Sequence, residues 1–77
     1  MSYTVVTVAA EIRAEMARQR RTGRDLASVL QISQQSASRR MNGETDMSLD
    51  EIATVSDWLG LSPTALFERA SAQAVGA

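Results

Sequence analysis

The sequence predicts an all-α domain, a compact bundle of five short helices in which the second and third form a helix-turn-helix. Three observations carry this reading. Apolar residues recur at three- and four-residue spacing in successive stretches. Ser, Thr, Gly and Pro stand between those stretches, where helices start and stop. No internal repeat and no sustained strand-like alternation interrupts them.

Helix 1 is expected from about residue 5 to about residue 20, with Val5, Val8, Ile12 and Met16 on one face. Thr4 or Thr7 is its candidate cap, and the β-branched run over residues 4–8 leaves a short strand there as the alternative. Thr22-Gly23 breaks the pattern. Helix 2 follows from about residue 24 to residue 30, with Thr22 as cap, Asp25 in the first turn and Leu26, Ala27 and Leu30 facing inward. Gln31-Ile32 makes a tight turn. Ser33 then caps helix 3, which runs to about Met41 with Ala37 and Met41 toward the core and Gln34, Gln35, Ser38 and Arg39 on the other face.

Asn42-Gly43 stops helix 3, glycine being suited to the left-handed conformation of a helix stop, and residues 44–47 form a loop. Ser48 and Glu51 make a capping box that opens helix 4, running to Leu59 and closed by Gly60. Its apolar set is Leu49, Ile52, Ala53, Val55 or Ser56, and Leu59, with Trp58 beside them as a core residue. Ser62-Pro63 opens helix 5, to about Gln73, with Leu66 and Phe67 inward and a frayed tail over residues 74–77.

A chain of 77 residues is one domain, residues 1–77, with an ordered core from about residue 4 to about residue 73. At that size a core buries only about 60% of the unfolded chain's surface. The chain has no cysteine and no histidine, so neither a disulfide nor a Cys/His zinc site supplements the core. Catalysis finds no constellation to act through, and no cofactor, metal or small-molecule ligand is expected. No run approaches the roughly 18 apolar residues of a membrane span and no signal-peptide pattern is present, so a cytoplasmic protein without a membrane partner is expected.

The net charge of −1 is unevenly spread. Residues 11–40 carry seven arginines against three acids, a balance of +4, whereas residues 41–77 carry one arginine against six acids, a balance of −5. A dipolar layout of this kind gives one region a basic footprint. All eight basic residues are arginine, which suits bidentate contact with phosphate and guanine. A merely solvated charged face is the plain alternative.

Two helices of about eight residues joined by a short turn have helix-turn-helix spacing, in which the second helix enters the DNA major groove by its N-terminal end. A glutamine amide can donate to and accept from adenine together, and arginine can donate twice to guanine. Leu26-Ala27, the Ile32-Ser33 turn, Asn42-Gly43, Ser48-Leu49 and Leu59-Gly60-Leu61 resemble the lambda-repressor-like, or Cro/C1-type, helix-turn-helix domains of phage repressors and bacterial regulators. The likeness covers residues 22–67, and Gln34-Gln35-Ser36 with Asn42-Gly43 is similar to the phage 434 type.

The resemblance implies a lambda-repressor-like five-helix bundle that regulates transcription. Base contacts then fall on Gln34, Gln35, Arg39 and Ser38, and phosphate contacts on Thr22, Arg24, Ser36, Asn42 and Arg40. Arg40 is expected to lay its stem on the core and reach water or phosphate with its head. Implied partners are a double-stranded operator and a second copy, a homodimer on a pseudo-palindromic site. Leu61, Leu66, Phe67 and Val75, or the segment over residues 3–8, are candidate dimer surfaces.

Four positions depart from the family pattern. Gly23 stands where a glutamine often opens helix 2, and Gln31 stands where the turn usually has glycine. Met16 and Met41 occupy the places of a helix-1 arginine and a helix-3 glutamate, a swap that is often neutral or stabilising. Glu44 and Asp46 lie in a loop that in relatives meets the DNA backbone, so arginines of helices 1 and 2 are expected to compensate. The rival reading is a protein-interaction module of the same fold, antitoxin-like or an anti-regulator, that binds no DNA. The same residues also suit the DNA-binding portion of a longer repressor.

Overall fold

A computed structural model describes the backbone of residues 5–76 and the side chains of residues 8–71. Five helices follow in order: α1 (Val5–Arg18), α2 (Gly23–Leu30), α3 (Gln34–Met41), α4 (Leu49–Leu59) and α5 (Pro63–Gly76). No strand occurs among the described residues. The all-α reading is therefore met, and so is the succession of five helices.

The starts of α2 to α5 are set by hydroxyl caps. Thr22 Oγ1 accepts from the Asp25 N–H while the Asp25 carboxylate accepts from the Thr22 N–H, a closed capping box. Ser48 and Glu51 do the same for α4. Ser33 accepts from the Ser36 N–H, and Ser62 from the Ala65 N–H. Each satisfies backbone donors that a helix start leaves without an intrahelical partner.

The ends of α1 to α4 share one device. In the Schellman motif two N–H groups beyond the helix fold back onto its last turn, with a left-handed residue between. At α1 these bonds are Arg21 N to Met16 O and Arg20 N to Ala17 O. At α2 they are Ile32 N to Ala27 O and Gln31 N to Ser28 O. The ends of α3 and α4 repeat the pattern around Gly43 and Gly60, whose φ angles are 78° and 77°. At the first two ends the left-handed residues are Arg20 and Gln31, with φ of 59° and 57°.

Two boundaries therefore shift. α1 stops at Arg18 rather than near Arg20, because Arg20 is itself the reversal, and Gly23 is the first residue of α2 rather than part of the break. Thr7 lies within α1, so it is not its cap; Thr4 lies outside the described residues. α5 continues through Gly76 where a frayed tail was expected, since the alanine-rich stretch after Ala70 contains no stop signal before the glycine.

The core is drawn from every helix. Val8, Ala9, Ile12 and Met16 of α1 meet Leu26 and Ala27 of α2, Ala37 of α3, Ile52, Val55 and Leu59 of α4, and Leu66 and Ala70 of α5. α1 packs against α3, α4 and α5, and α2 against α3 and α4. Ser56 is fully buried with its hydroxyl donating to the Ile52 carbonyl at 2.7 Å. Leu49 and Ala53, expected inside, are exposed, Leu49 at 77%. The apolar place at that end of the core is taken by Met47 from the loop. Met47 precedes the Ser48 cap and Ile52 follows four positions into the helix, the spacing of a hydrophobic staple. Leu66 is fully buried and unavailable as a dimer surface; the side chain of Val75 lies outside the described residues.

A polar clasp joins α1 to α4 and α5. Glu15 Oε1 accepts from Arg18 Nη2 at 2.7 Å and from Arg69 Nη1 at 3.1 Å. Gln19 Nε2 donates both to Glu15 Oε2 at 2.9 Å and to the Leu59 carbonyl at 2.7 Å. The Gln19 amide first, then Arg18 and Arg69, lower the Glu15 carboxyl from 4.5 to about 2. A carboxyl lowered on folding contributes stability above its unfolded value and loses it as pH falls. Thermal melting followed from pH 4.5 down to pH 2 is accordingly expected to show a loss of wild-type stability that is flattened in Glu15→Gln.

Candidate nucleic-acid interface

The turn between α2 and α3 is built from three consecutive constraints. Gln31 reverses the chain in the left-handed region, Ile32 is half-buried against the core, and Ser33 caps α3. α3 is anchored by Ala37, which is fully buried, and by Met41, which is half-buried against the same cluster. With its inner face fixed at these two positions, one turn apart, the helix presents the rest outward.

Gln34, Gln35, Ser38 and Arg39 are all exposed. No hydrogen bond or ion pair ties any of these four side chains to another described residue. The structure thus brings the four sequence-predicted readers onto one free surface. Gln34 and Ser38, one turn apart, border an open groove of about 610 Å³ together with Met41 and Asn42. Its other wall is the start of α2, formed by Thr22, Gly23 and Arg24. Gly23 leaves this wall low: a Cβ there would stand 3.8 Å from the Met41 sulfur, an ordinary contact.

The residues assigned to phosphate separate into different situations. Arg24 is exposed and without a hydrogen-bond partner among the described residues. Thr22 is engaged in its capping box, and Ser36 is half-buried with its Oγ accepting from Ser33 at 3.0 Å. Asn42 Nδ2 faces Glu44 at 3.5 Å. Arg40 is turned away from the free surface: Nε donates to Glu51 Oε1 at 3.1 Å and Nη1 to the Ser36 carbonyl at 3.2 Å. The expectation that its head reaches water or phosphate is not how the free domain holds it. Glu51 is also the capping acid of α4, so a single carboxylate oxygen closes that helix start and ties it to α3.

Electrostatics follow these contacts. Arg40 first, and then the Ser48 N–H, hold the Glu51 carboxyl below the usual carboxylate range against partial desolvation. The Asp25 carboxyl is lowered chiefly by the Thr22 N–H, with Arg21 and Arg24 contributing weakly. Beyond the C-terminal end of α3, Glu44 and Asp46 are exposed, so the surface changes sign from the α2 side to the α3–α4 loop. Three arginine contacts were not anticipated. Arg21 lies over the Trp58 ring at 4.8 Å from its centroid, Arg69 reaches Glu15, and Arg13 Nη1 donates to the Met41 carbonyl at 2.9 Å. These pairs span 37, 54 and 28 positions, and local periodicity carries no signal for them.

A family model for the BetR domain matches residues 2–77. The chain belongs to the BetR domain family. Among solved structures this BetR domain is similar to the clp gene regulator ClgR from Corynebacterium glutamicum, with a TM-score of 0.81 and 25% identity over 90% of each chain. A second ClgR structure gives a TM-score of 0.83 at 25% identity, covering 90% of this chain and 73% of the other. No curated protein sequence matches the chain. The resemblance seen in the sequence thus holds at the level of a helix-turn-helix regulator fold, with BetR as the family.

Because Gln31 has φ 57° and ψ 45°, its side chain carries a left-handed penalty of about 1–2 kcal/mol that glycine avoids. Glycine gives back part of this as unfolded-state entropy. Gln31→Gly in this BetR domain is expected to raise unfolding free energy by about 0.5–1 kcal/mol in urea titrations.

Proposed function

We propose that the domain is a DNA-binding transcription regulator that reads an operator half-site in the major groove with α3, in the manner of phage Cro and 434-type repressors. The observation that carries this is the composition of α3's free surface. Gln34, Gln35, Ser38 and Arg39 are exposed and uncommitted on a helix whose opposite side is locked into the core. Side chains of these types have the donor and acceptor patterns that distinguish adenine and guanine edges. The similarity to ClgR, a gene regulator, supports the same reading.

In this reading Gln34, Gln35, Arg39 and Ser38 contact bases. Arg24 anchors the phosphate backbone, with Thr22, Ser36 and Asn42 offering secondary polar contacts; Arg40 reaches a phosphate only by leaving Glu51. Two copies on a pseudo-palindromic operator would place two α3 helices in successive major grooves about 34–36 Å apart. No helix among the described residues is long and apolar enough to cross a membrane.

Gel-shift titrations against a duplex selected from a random library test the assignment. Gln34→Ala, Gln35→Ala and Arg39→Ala are each expected to weaken the selected duplex by about 1–3 kcal/mol. Unchanged affinity and base preference in all three would remove the base-reading role. Arg24→Ala is expected to weaken every duplex alike and to lower the magnitude of the salt slope by about one. A domain that binds no duplex at any salt concentration would favour the protein-interaction alternative, for which the exposed Glu44 and Asp46 speak.

A further inference from the structure

We infer that Arg13 is a positioning residue for α3, fixing the C-terminal end of the helix to α1 through the Met41 carbonyl. The closing inventory of α3 leads to this. A helix leaves its last four carbonyls without intrahelical partners, here those of Ser38, Arg39, Arg40 and Met41. Ser38 O accepts from Asn42 N at 3.0 Å, Arg39 O from Glu44 N at 2.8 Å and Arg40 O from Gly43 N at 3.2 Å. All three donors belong to the segment that directly follows the helix, so they travel with it and say nothing about where it points. The fourth carbonyl accepts from Arg13 Nη1 at 2.9 Å, 28 positions away on α1.

Met41 is held from two directions. Its side chain packs half-buried against the core cluster, with the sulfur beside Gly23 at the start of α2, while its carbonyl is held by α1. A guanidinium at this end also complements the negative pole of the helix. The residue that follows α1 treats α4 in the same way, Gln19 donating to the Leu59 carbonyl at 2.7 Å. Arg13 within α1 and Gln19 just beyond its end thus secure the last carbonyls of two other helices. With Ala37 fixed in the core, movement of the Met41 end pivots α3 about its middle and displaces Gln34, Gln35 and Arg39 together. Contacts that read base edges tolerate little such displacement.

The effect on DNA binding rests on the function proposed above, whereas the bond itself is testable without DNA. Arg13→Ala, Arg13→Gln and Arg13→Lys are compared in the full chain. Amide hydrogen exchange at residues 41–45 is expected to accelerate several-fold in Arg13→Ala and to return toward wild type in Arg13→Lys; unchanged exchange in all variants would overturn the assignment. On DNA, Arg13→Ala is expected to bind the library-selected duplex about 5- to 10-fold more weakly, the scale of one charge-assisted hydrogen bond at an exposed site. Its affinity for random duplex and its salt slope are expected to stay at wild-type values. Equal weakening on both duplexes with a salt slope lowered by about one would make Arg13 a phosphate contact and overturn the positioning role. If the wild-type domain binds no duplex, the function proposal fails and hydrogen exchange alone decides on Arg13.

Discussion

α2 and α3 are each eight residues long, so half of their backbone N–H groups and half of their carbonyls have no partner within the helix. Isolated helices this short are unstable in water. The domain therefore depends on closing helix ends, and polar side chains at both starts and stops serve that purpose. Hydroxyl caps at Thr22, Ser33, Ser48 and Ser62 close the starts, and the same folded-back motif closes four of the ends. Only after this closure can burial of Ile12, Met16, Leu26, Val55 and Leu66 select one arrangement.

The arginines show how charge is divided between scaffold and surface. Of the seven in residues 11–40, Arg13, Arg18, Arg21 and Arg40 are occupied with a carbonyl, a carboxylate, an indole ring and a second carboxylate. Arg20, Arg24 and Arg39 have no such tie to another described side chain. The basic footprint is thus narrower than the composition of that half implies. It is concentrated at the α1–α2 corner and on the outer row of α3. Ion pairs as exposed as Arg18 with Glu15 add little to stability individually; the shared carboxylates matter because Glu15 and Glu51 each join two or more helices.

What the sequence disclosed was local. Ser48 with Glu51, Thr22 with Asp25 and Ser33 before Gln34 are caps written within four residues, and the apolar spacing of Val8, Ile12 and Met16 is a single-helix pattern. Gln31 stands where the family resemblance puts glycine, which left either a left-handed residue or a different turn there, and the structure has the left-handed one. Arg20 in the same role was hidden, since nothing in an arginine announces a helix stop. Leu49 and Met47 exchanged expected places because periodicity assigns a face and ignores whether neighbours extend far enough to cover it; the staple spacing around Ser48 was the missed signal. At the surface, exposure of Gln34, Gln35, Ser38 and Arg39 followed from the helix wheel. The destinations of Arg13, Arg40 and Arg69 did not, because they are decided by which helices become neighbours.

The separation of duties within α3 has a consequence for how such a domain diversifies. Ala37 and Met41 hold the helix, whereas Gln34, Gln35, Ser38 and Arg39 contribute no side-chain bond to any described part of the fold. Substitutions at those four positions leave the caps, the core and the arginine ties untouched. If these positions read DNA as proposed, descendants of one ancestral gene can drift apart in what they recognise while inheriting a common framework.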